Sequence, residues 1–285
     1  SMNEAAKALY ISQPSLSGAI KELEKEIGIE LFKRSSHGTV LTPEGEEFLG
    51  YAKQVVEQYH LLENRYLNVE SKKKFSVSMQ HYSFAVKAFV QLAKEVGMDE
   101  YEFAVHETKT KEVIDNVKNL KSEIGVLYLS DFNEKVLRKL FKECDIEFKE
   151  LFTCNTYVYL WKKHPLAGKK VITLDDLQEY PCLTFEQGVN NSFYYAEEMM
   201  STYEYKRVIK ADDRATMLNL MVGLNGFTLC SGIISEDLNG NDYAAIPLKE
   251  SEKMHIGYIK HKGTKLSKLG EIYIDALKNY ENKVL

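Results

Sequence analysis

The sequence predicts an α/β protein built of three parts: a small helical domain at the N-terminus, one long helix, and a larger domain with a mainly parallel sheet. Three observations predict these parts. Residues 4–44 hold two short helical patterns and a turn-rich basic stretch, residues 43–74 hold one long helical pattern, and from residue 75 strand and helix patterns alternate. Such alternation is typical of a parallel sheet with helices on its faces. A length of 285 residues suits two or three domains.

The second short helix is predicted by its two ends and by one apolar stripe. Ser12 is a favourable N-cap, and Pro14 falls in the first turn, where a missing N–H costs nothing. Gly28 stands where a left-handed residue ends a helix. The apolar residues between these ends recur every three or four positions. They are Leu16, Ile20, Leu23 and Ile27.

The other face of this helix is small and polar near its N-terminal end, and a basic, hairpin-like wing follows it. A helix that enters the major groove of DNA reads base edges from this end, and such a wing contacts the sugar–phosphate backbone. The alternative is a small helical subdomain with a solvated polar face. The predicted DNA contacts are Gln13, Pro14, Ser15, Ser17, Gly18, Lys21, Lys33, Arg34 and His37.

The same stretch resembles, in register over residues 5–45, the winged helix-turn-helix of LysR-type transcriptional regulators. Gly18 departs from the family, which often has arginine at this position. Ser1-Met2-Asn3 resembles the start of the family's second helix, so the resemblance implies that the chain begins after the first helix and binds DNA poorly without it. The matching residues are Ala5-Ala6, Ser12-Gln13-Pro14-Ser15-Leu16-Ser17, Ile20, Leu23-Glu24, Gly28, Leu31-Phe32, Arg34, Leu41-Thr42 and Gly45.

The long helix begins with Thr42 as N-cap and Pro43 as its first residue. The apolar residues of this helix form one regular heptad stripe, which favours a partner helix. The alternative is a helix packed on its own domain. The resemblance implies a linker helix that pairs antiparallel with its copy in a dimer, and a solvated joint at 70–74 ends it. The stripe consists of Phe48, Ala52, Val55, Tyr59, Leu62 and Tyr66.

The order of elements from residue 75 is similar to the family's effector domain, which is of the periplasmic-binding-protein type. The landmarks are HPLA at 164–167, LDDL at 174–177 and GLNGFTLCSG at 223–232. The resemblance implies a winged helix-turn-helix at 1–42, a linker helix and hinge at 43–74, and an effector domain at 75–285. It divides the effector domain into lobe I, residues 75–151 with 254–285, and lobe II, residues 152–253.

Ligands of such domains bind between the lobes, at strand C-termini and helix N-termini, where free amides favour anions. Hydroxyls, an amide and one cation there predict a small polar metabolite, although each residue is as readily explained as a helix cap. Glu107 replaces a usual glycine and disfavours an anion, which leaves an amino acid or a cationic group as the alternative. Glu123 replaces a usual aspartate and Ser231 a common proline. The predicted effector contacts are Gln80, His81, Tyr82, Ser83, Thr108, Lys109, Tyr128, Ser130, Thr184, Phe185 and Ser231.

Enzyme chemistry finds no support in the sequence. No GxSxG, HExxH, GxGxxG or Walker loop occurs. The paired carboxylates Glu197 and Glu198 fall on a predicted surface helix at 192–203 and are expected to be solvated. No catalytic residue, metal site or cofactor is therefore predicted. The scattered cysteines predict reduced, mostly buried thiols, with redox sensing as the alternative: Cys144, Cys154, Cys182 and Cys230.

The net charge of −5 argues against a general nucleic-acid coat protein. No apolar run of about twenty residues and no signal peptide is visible, which predicts a cytoplasmic protein that does not bind membranes. The expected function is a ligand-responsive regulator that binds a dyad-symmetric promoter site. Its expected partners are double-stranded DNA, a small polar metabolite, and its own copies in a homodimer or homotetramer. The alternatives are a solute-binding or sensor protein whose helical N-terminus serves only oligomerisation, and an undetected enzyme.

Overall fold

A computed structural model describes residues 1–35, 38–66, 72–97, 100–190 and 192–280. The chain separates into two compact units, Ser1–Ser71 and Lys72–Leu285. None of the helices formed by the described residues is both long and apolar enough to cross a membrane.

In the first unit, the described residues form three helices and one antiparallel hairpin. Ser12 caps the second helix by accepting a hydrogen bond from the Ser15 amide at 3.2 Å, and Gly28 ends it with φ 72°. Both ends agree with the sequence signals, because caps and left-handed glycines are local features. The elements are α1 (Met2–Ala8), α2 (Gln13–Ile27), β1 (Phe32–Ser35), β2 (Gly38–Leu41) and α3 (Pro43–Tyr66).

The β1–β2 hairpin is held between α2 and α3 by a few polar contacts. Glu24 Oε1 on α2 accepts hydrogen bonds from the amides of Leu31 and Phe32 at 2.8 and 3.0 Å. Thr42 Oγ1 accepts from the Gly45 amide at 2.9 Å and so caps α3. A Cβ added at Gly45 would lie 2.1 Å from the Leu31 carbonyl oxygen, so only glycine allows this approach. These contacts fix the position of the wing relative to α2.

The large sheet of the second unit has five strands in the order β4-β3-β5-β12-β6. The first three strands are parallel, whereas β12 runs antiparallel to β5 and β6. Its strands are β3 (Lys73–Met79), β4 (Tyr101–Glu107), β5 (Ile124–Leu129), β6 (Ile146–Cys154) and β12 (Met254–His261). The helices of this part are α4 (Ser83–Val96), α5 (Thr110–Lys118), α6 (Glu134–Glu143) and α10 (Lys268–Lys278).

The remaining strands form two small sheets. In the first, β7 lies between β10 and β11, and in the second β8 pairs parallel with β9. These strands are β7 (Tyr157–Trp161), β8 (Cys182–Phe185), β9 (Val208–Ala211), β10 (Thr228–Cys230) and β11 (Tyr243–Pro247). The accompanying helices are α7 (Leu174–Leu177), α8 (Arg214–Leu224) and α9 (Glu236–Asn239).

The prediction of a helix at 192–203 is wrong. The chain forms only a short 3-10 turn, Phe193–Tyr195, and Ala196 then adopts an extended conformation with ψ 143°. Met199, which follows, is buried in the core shared by the large and small sheets. Tertiary burial of this segment outweighs its helical pattern.

Candidate functional site

A cavity of about 90 Å³ lies in the second unit, beside the loop after β3 and the first residues of α4. A water molecule needs about 10–15 Å³ of such space, so the cavity holds on the order of six water-sized groups. Its walls come from both the large-sheet part and the small sheets. The lining residues are His81, Tyr82, Ser83, Phe84, Tyr159, Phe185, Glu197, Glu198, Arg214, Met217, Leu218, Thr228, Leu229, Cys230, Ser231, Ile233, Ile234, Asn239 and Met254.

His81 and Glu197 form a buried pair at one side of this cavity. Glu197 Oε2 lies 2.8 Å from His81 Nδ1 and also accepts the His81 amide at 2.9 Å. The second oxygen, Oε1, accepts from Gln187 Nε2 at 2.9 Å. The imidazole stacks on Phe185, with ring centroids 3.7 Å apart and planes within 6°. Both oxygens of Glu197 are therefore occupied by contacts within the protein.

Glu198 is buried beside this pair but has fewer contacts. Its Oε1 accepts the Phe185 amide at 2.9 Å. Burial and, to a smaller extent, the charge of Glu197 raise the pKa of Glu198 to about 8. Within the part of the chain that the structure describes, no cation forms an ion pair with Glu198. The carboxyl group is thus close to its titration point at neutral pH.

Two further polar groups of the lining have incomplete hydrogen bonding. Thr228 Oγ1 is buried and has no hydrogen-bond partner among the described residues. The Tyr159 hydroxyl lies beside the Asn239 side chain without a hydrogen bond of ordinary geometry. Burial raises the pKa of Tyr159 to about 12. Buried polar groups in native proteins are nearly always paired, so these two hydroxyls are exceptions within the lining.

The cations near the cavity are already paired. Arg214, at the first position of α8, forms an ion pair with Glu107 at the carboxyl end of β4. Lys109 Nζ lies 3.3 Å from Asp212 Oδ1. Both ion pairs join the large-sheet part to the small sheets, so they contribute to the relative position of these two parts.

Five of the eleven predicted effector contacts line the cavity: His81, Tyr82, Ser83, Phe185 and Ser231. The other six do not line it: Gln80, Thr108, Lys109, Tyr128, Ser130 and Thr184. Gln80 instead links Thr110 Oγ1, at 2.6 Å, to the Tyr82 hydroxyl, at 2.8 Å. The Tyr128 hydroxyl donates to the Ala196 carbonyl at 3.1 Å. Gln80 and Tyr128 therefore support the loops that carry the lining residues.

The expectation that Glu197 and Glu198 are solvated is wrong, since both side chains are buried. The segment that carries them packs inward because it is not a helix. A sequence signal for this existed: no lysine or arginine occurs from 171 to 205, and aromatic residues and methionines flank both carboxylates. Acidic residues without a nearby cation in an apolar stretch are poorly suited to a solvated, charge-balanced helix face.

The described residues hold no group of three or more histidine, cysteine, aspartate or glutamate side chains placed to bind a metal ion. All four cysteines are free thiols. Burial raises the pKa of Cys154 and of Cys230 to about 12. These two thiols therefore stay protonated at neutral pH, which makes them poor nucleophiles.

The polar face of α2 is open in the first unit. Ser15, Gly18 and Lys21 are exposed, and Gln13 Nε2 donates to Ser17 Oγ at 2.7 Å. Pro14 lies exposed in the first turn. Of the predicted wing contacts, Lys33 is exposed on β1 and Arg34 lies on the same strand, paired in register with Thr39. The predicted contact at His37 lies outside the described residues.

Comparison with known proteins identifies both units. Residues 1–46 match the family model "Bacterial regulatory helix-turn-helix protein, lysR family", and residues 98–281 match the "LysR substrate binding domain". The chain belongs to the LysR family of transcriptional regulators. Its α/β fold, with a helix-turn-helix domain and a substrate-binding domain of the periplasmic-binding-protein type, confirms the predicted fold class.

Two relatives of this LysR regulator are named for transcriptional functions. It is 28% identical to the HTH-type transcriptional regulator CysL of Bacillus subtilis, over 99% of this chain and 93% of CysL. It is also 28% identical to the malolactic fermentation system transcriptional activator of Lactococcus lactis, over 98% and 93% of the two chains. A full-length OxyR variant from Pseudomonas aeruginosa shares the fold, with a TM-score of 0.68 at 18% identity over 98% of this chain and 89% of OxyR. The protein is a DNA-binding regulator of transcription.

Proposed function

We propose that this LysR regulator binds a dyad-symmetric promoter site in the cytoplasm and responds to a small polar metabolite in the cavity beside His81. The observation that carries the proposal is the open polar face of α2, where Ser15, Gly18 and Lys21 are exposed. A short polar helix face with a cation fits the major groove, where base edges are read by small donors and acceptors. Residues 1–42 would then bind DNA, and Arg34 and the wing would contact its phosphates.

The dyad symmetry of the promoter site would follow from pairing of two chains through α3, in the linker at 43–74. Val55, Tyr59 and Leu62 belong to one heptad stripe and are 56–69% exposed. Large apolar side chains in register on an exposed helix favour a partner helix. Two winged domains carried by such a pair would contact two half-sites of the promoter, as the symmetry of a dimer requires.

Residues 75–285 would act as the sensor, with lobe I at 75–151 and 254–285 and lobe II at 152–253. The cavity has walls from both lobes, and the ion pairs Arg214–Glu107 and Lys109–Asp212 join them. A ligand bound there would favour one relative position of the lobes only if it binds that position more tightly. Pairing between effector domains would then transmit this change within a tetramer.

Selection of binding sites from a random duplex library with the full-length protein tests the proposal. We expect enrichment of a sequence with two inverted half-sites, and a mass of two or more chains per bound duplex in sedimentation. Absence of any enriched sequence, with binding that follows only the salt concentration, would show non-specific contact and overturn the promoter assignment.

A further inference from the structure

One buried carboxyl group of the cavity lining, Glu198, has no cation paired with it among the described residues. His81 is paired with Glu197, and Arg214 is paired with Glu107. Glu198 lines the same cavity with 5% of its surface exposed, and no cation of the described chain forms an ion pair with it. A buried carboxylate is costly unless a positive charge or several hydrogen bonds compensate it. Glu198 accepts one hydrogen bond of ordinary geometry from the backbone, at Oε1.

The remainder of the lining is suited to a small molecule with a polar end and an apolar part. Thr228 and Tyr159 belong to the lining, each with a hydroxyl that lacks an ordinary hydrogen bond, and both side chains are at least nine-tenths buried. Met217, Leu218 and Ile233 supply an apolar wall. The polar groups give a ligand one orientation, since the apolar wall offers nothing to its charged end.

We propose that the effector of this regulator is a small molecule with an ammonium group, which forms an ion pair with Glu198 inside the cavity. The inference rests on the proposed function, because it names the chemical class of the metabolite sensed. An ammonium group donates up to three hydrogen bonds. It would therefore form a charge-assisted hydrogen bond with the Glu198 carboxylate.

A ligand whose only charge is negative fits this cavity poorly. It would gain no ion pair at Glu198, whereas an ammonium group would favour the charged form of this carboxyl group, whose pKa burial raises to about 8. Arg214 of the lining cannot compensate it without leaving Glu107 unpaired. An amino acid fits through its ammonium group, which can pair with Glu198.

Matched trios of probes on the full-length protein test the ammonium group directly. Each trio contains an L-amino acid, the acid that lacks its amino group, and the amine that lacks its carboxyl group. Suitable trios are L-valine, 3-methylbutanoate and isobutylamine; L-methionine, 4-(methylthio)butanoate and 3-(methylthio)propylamine; and L-serine, 3-hydroxypropanoate and ethanolamine. Thermal shift finds the binders, since a ligand raises the melting temperature by mass action, and calorimetry gives the dissociation constants.

We expect at least one probe with an ammonium group to bind, and its counterpart without that group to bind at least about tenfold more weakly, equivalent to about 1.4 kcal/mol. Glu198→Gln should weaken the binding of that probe by a similar factor. The control is Glu250→Gln, since the Glu250 carboxylate also accepts one backbone amide, that of Leu174, but does not line the cavity. Should Glu198→Gln fail to fold, the trios on the unaltered protein decide.

The proposal is overturned if the acids bind as tightly as the amino compounds, if Glu198→Gln binds as well as the unaltered protein, or if no probe with an ammonium group binds. These outcomes are separate from failure of the regulator function. An acid that binds and changes affinity for the selected DNA site would leave the regulator intact and exclude the ammonium class. Loss of sequence selection on DNA, with amine binding intact, would leave the ammonium proposal standing and overturn the promoter assignment.

Discussion

The imidazole of His81 lies 2.8 Å from the carboxylate of Glu197, although the two residues are 116 positions apart. His81 follows β3 of the large sheet, and Glu197 belongs to the segment between β8 and β9. The pair therefore joins distant parts of the chain at the wall of the cavity. Phe185, stacked on the imidazole, excludes water from this contact.

Glu197→Ala is expected to destabilise the second unit by about 3–5 kcal/mol, because it leaves the His81 and Gln187 donors buried without an acceptor. Urea unfolding followed by circular dichroism measures this loss. The matched control is Glu179→Ala, which removes an exposed ion pair with Lys206 and should cost far less, because solvent screens an exposed pair. Equal costs for the two variants would show that the His81–Glu197 pair contributes nothing beyond a surface ion pair.

The elements predicted correctly from sequence are those determined by local chemistry. Ser12 and Gly28 fix the ends of α2, and Thr42 caps α3, whatever the rest of the chain does. The parallel strands of the large sheet also follow from local apolar patterns. In contrast, α6 and β9 are not predicted by any sequence pattern described above.

The candidate site was predicted in part, for a physical reason. His81, Tyr82 and Ser83 were found because they follow a predicted strand and precede a predicted helix. Glu197 and Glu198 were missed because their burial depends on contacts with His81 and Phe185, which no sequence spacing shows. Arg214, Tyr159 and Thr228 were missed for the same reason, since each becomes part of the site only when the small sheets meet the large one.

The pKa of Glu198, about 8, predicts a specific pH dependence of stability. The pKa of the folded state lies above the usual value of 4.5, so burial favours the protonated form. Stability from this group is therefore complete below about pH 4.5 and is lost as the pH rises to about 8. At about 1.4 kcal/mol per pKa unit, the loss is on the order of 3–5 kcal/mol.

Glu198→Gln removes this titration and leaves the neighbouring His81, Glu197 and Arg214 in place. We expect the free energy of unfolding of the variant, minus that of the unaltered protein, to increase between about pH 5 and pH 8. Urea unfolding of both proteins at several pH values gives this difference, from which the titration of all other groups cancels. A difference that stays constant with pH would contradict the raised pKa.

Pairing through α3 predicts that charges placed on its apolar stripe lower the mass of the assembly. Val55→Asp combined with Leu62→Asp puts two carboxylates where apolar side chains would meet a partner helix. We expect the mass in sedimentation velocity to fall by half. Lys53→Asp is the control, because residue 53 lies away from the stripe on the same helix. An unchanged mass of the double variant would show that the helices do not pair along this stripe.

The assignment of α2 to the major groove predicts two different effects of mutation. Lys21→Ala should weaken binding to all duplex sequences and lower the slope of log affinity against log salt by about one, because one phosphate contact is lost. Gln13→Ala should relax the preference at one base position, at a cost of about 1–3 kcal/mol for the preferred base. Fluorescence anisotropy over a salt series and a set of single-base variants of the site distinguishes the two effects.

The control is Lys135→Ala, which removes an exposed cation of the second unit and should change neither the salt slope nor the base preference. If Lys21→Ala and Gln13→Ala both behave like this control, the polar face of α2 does not enter the groove, because a helix in that position cannot lose its cation and its base contact without effect.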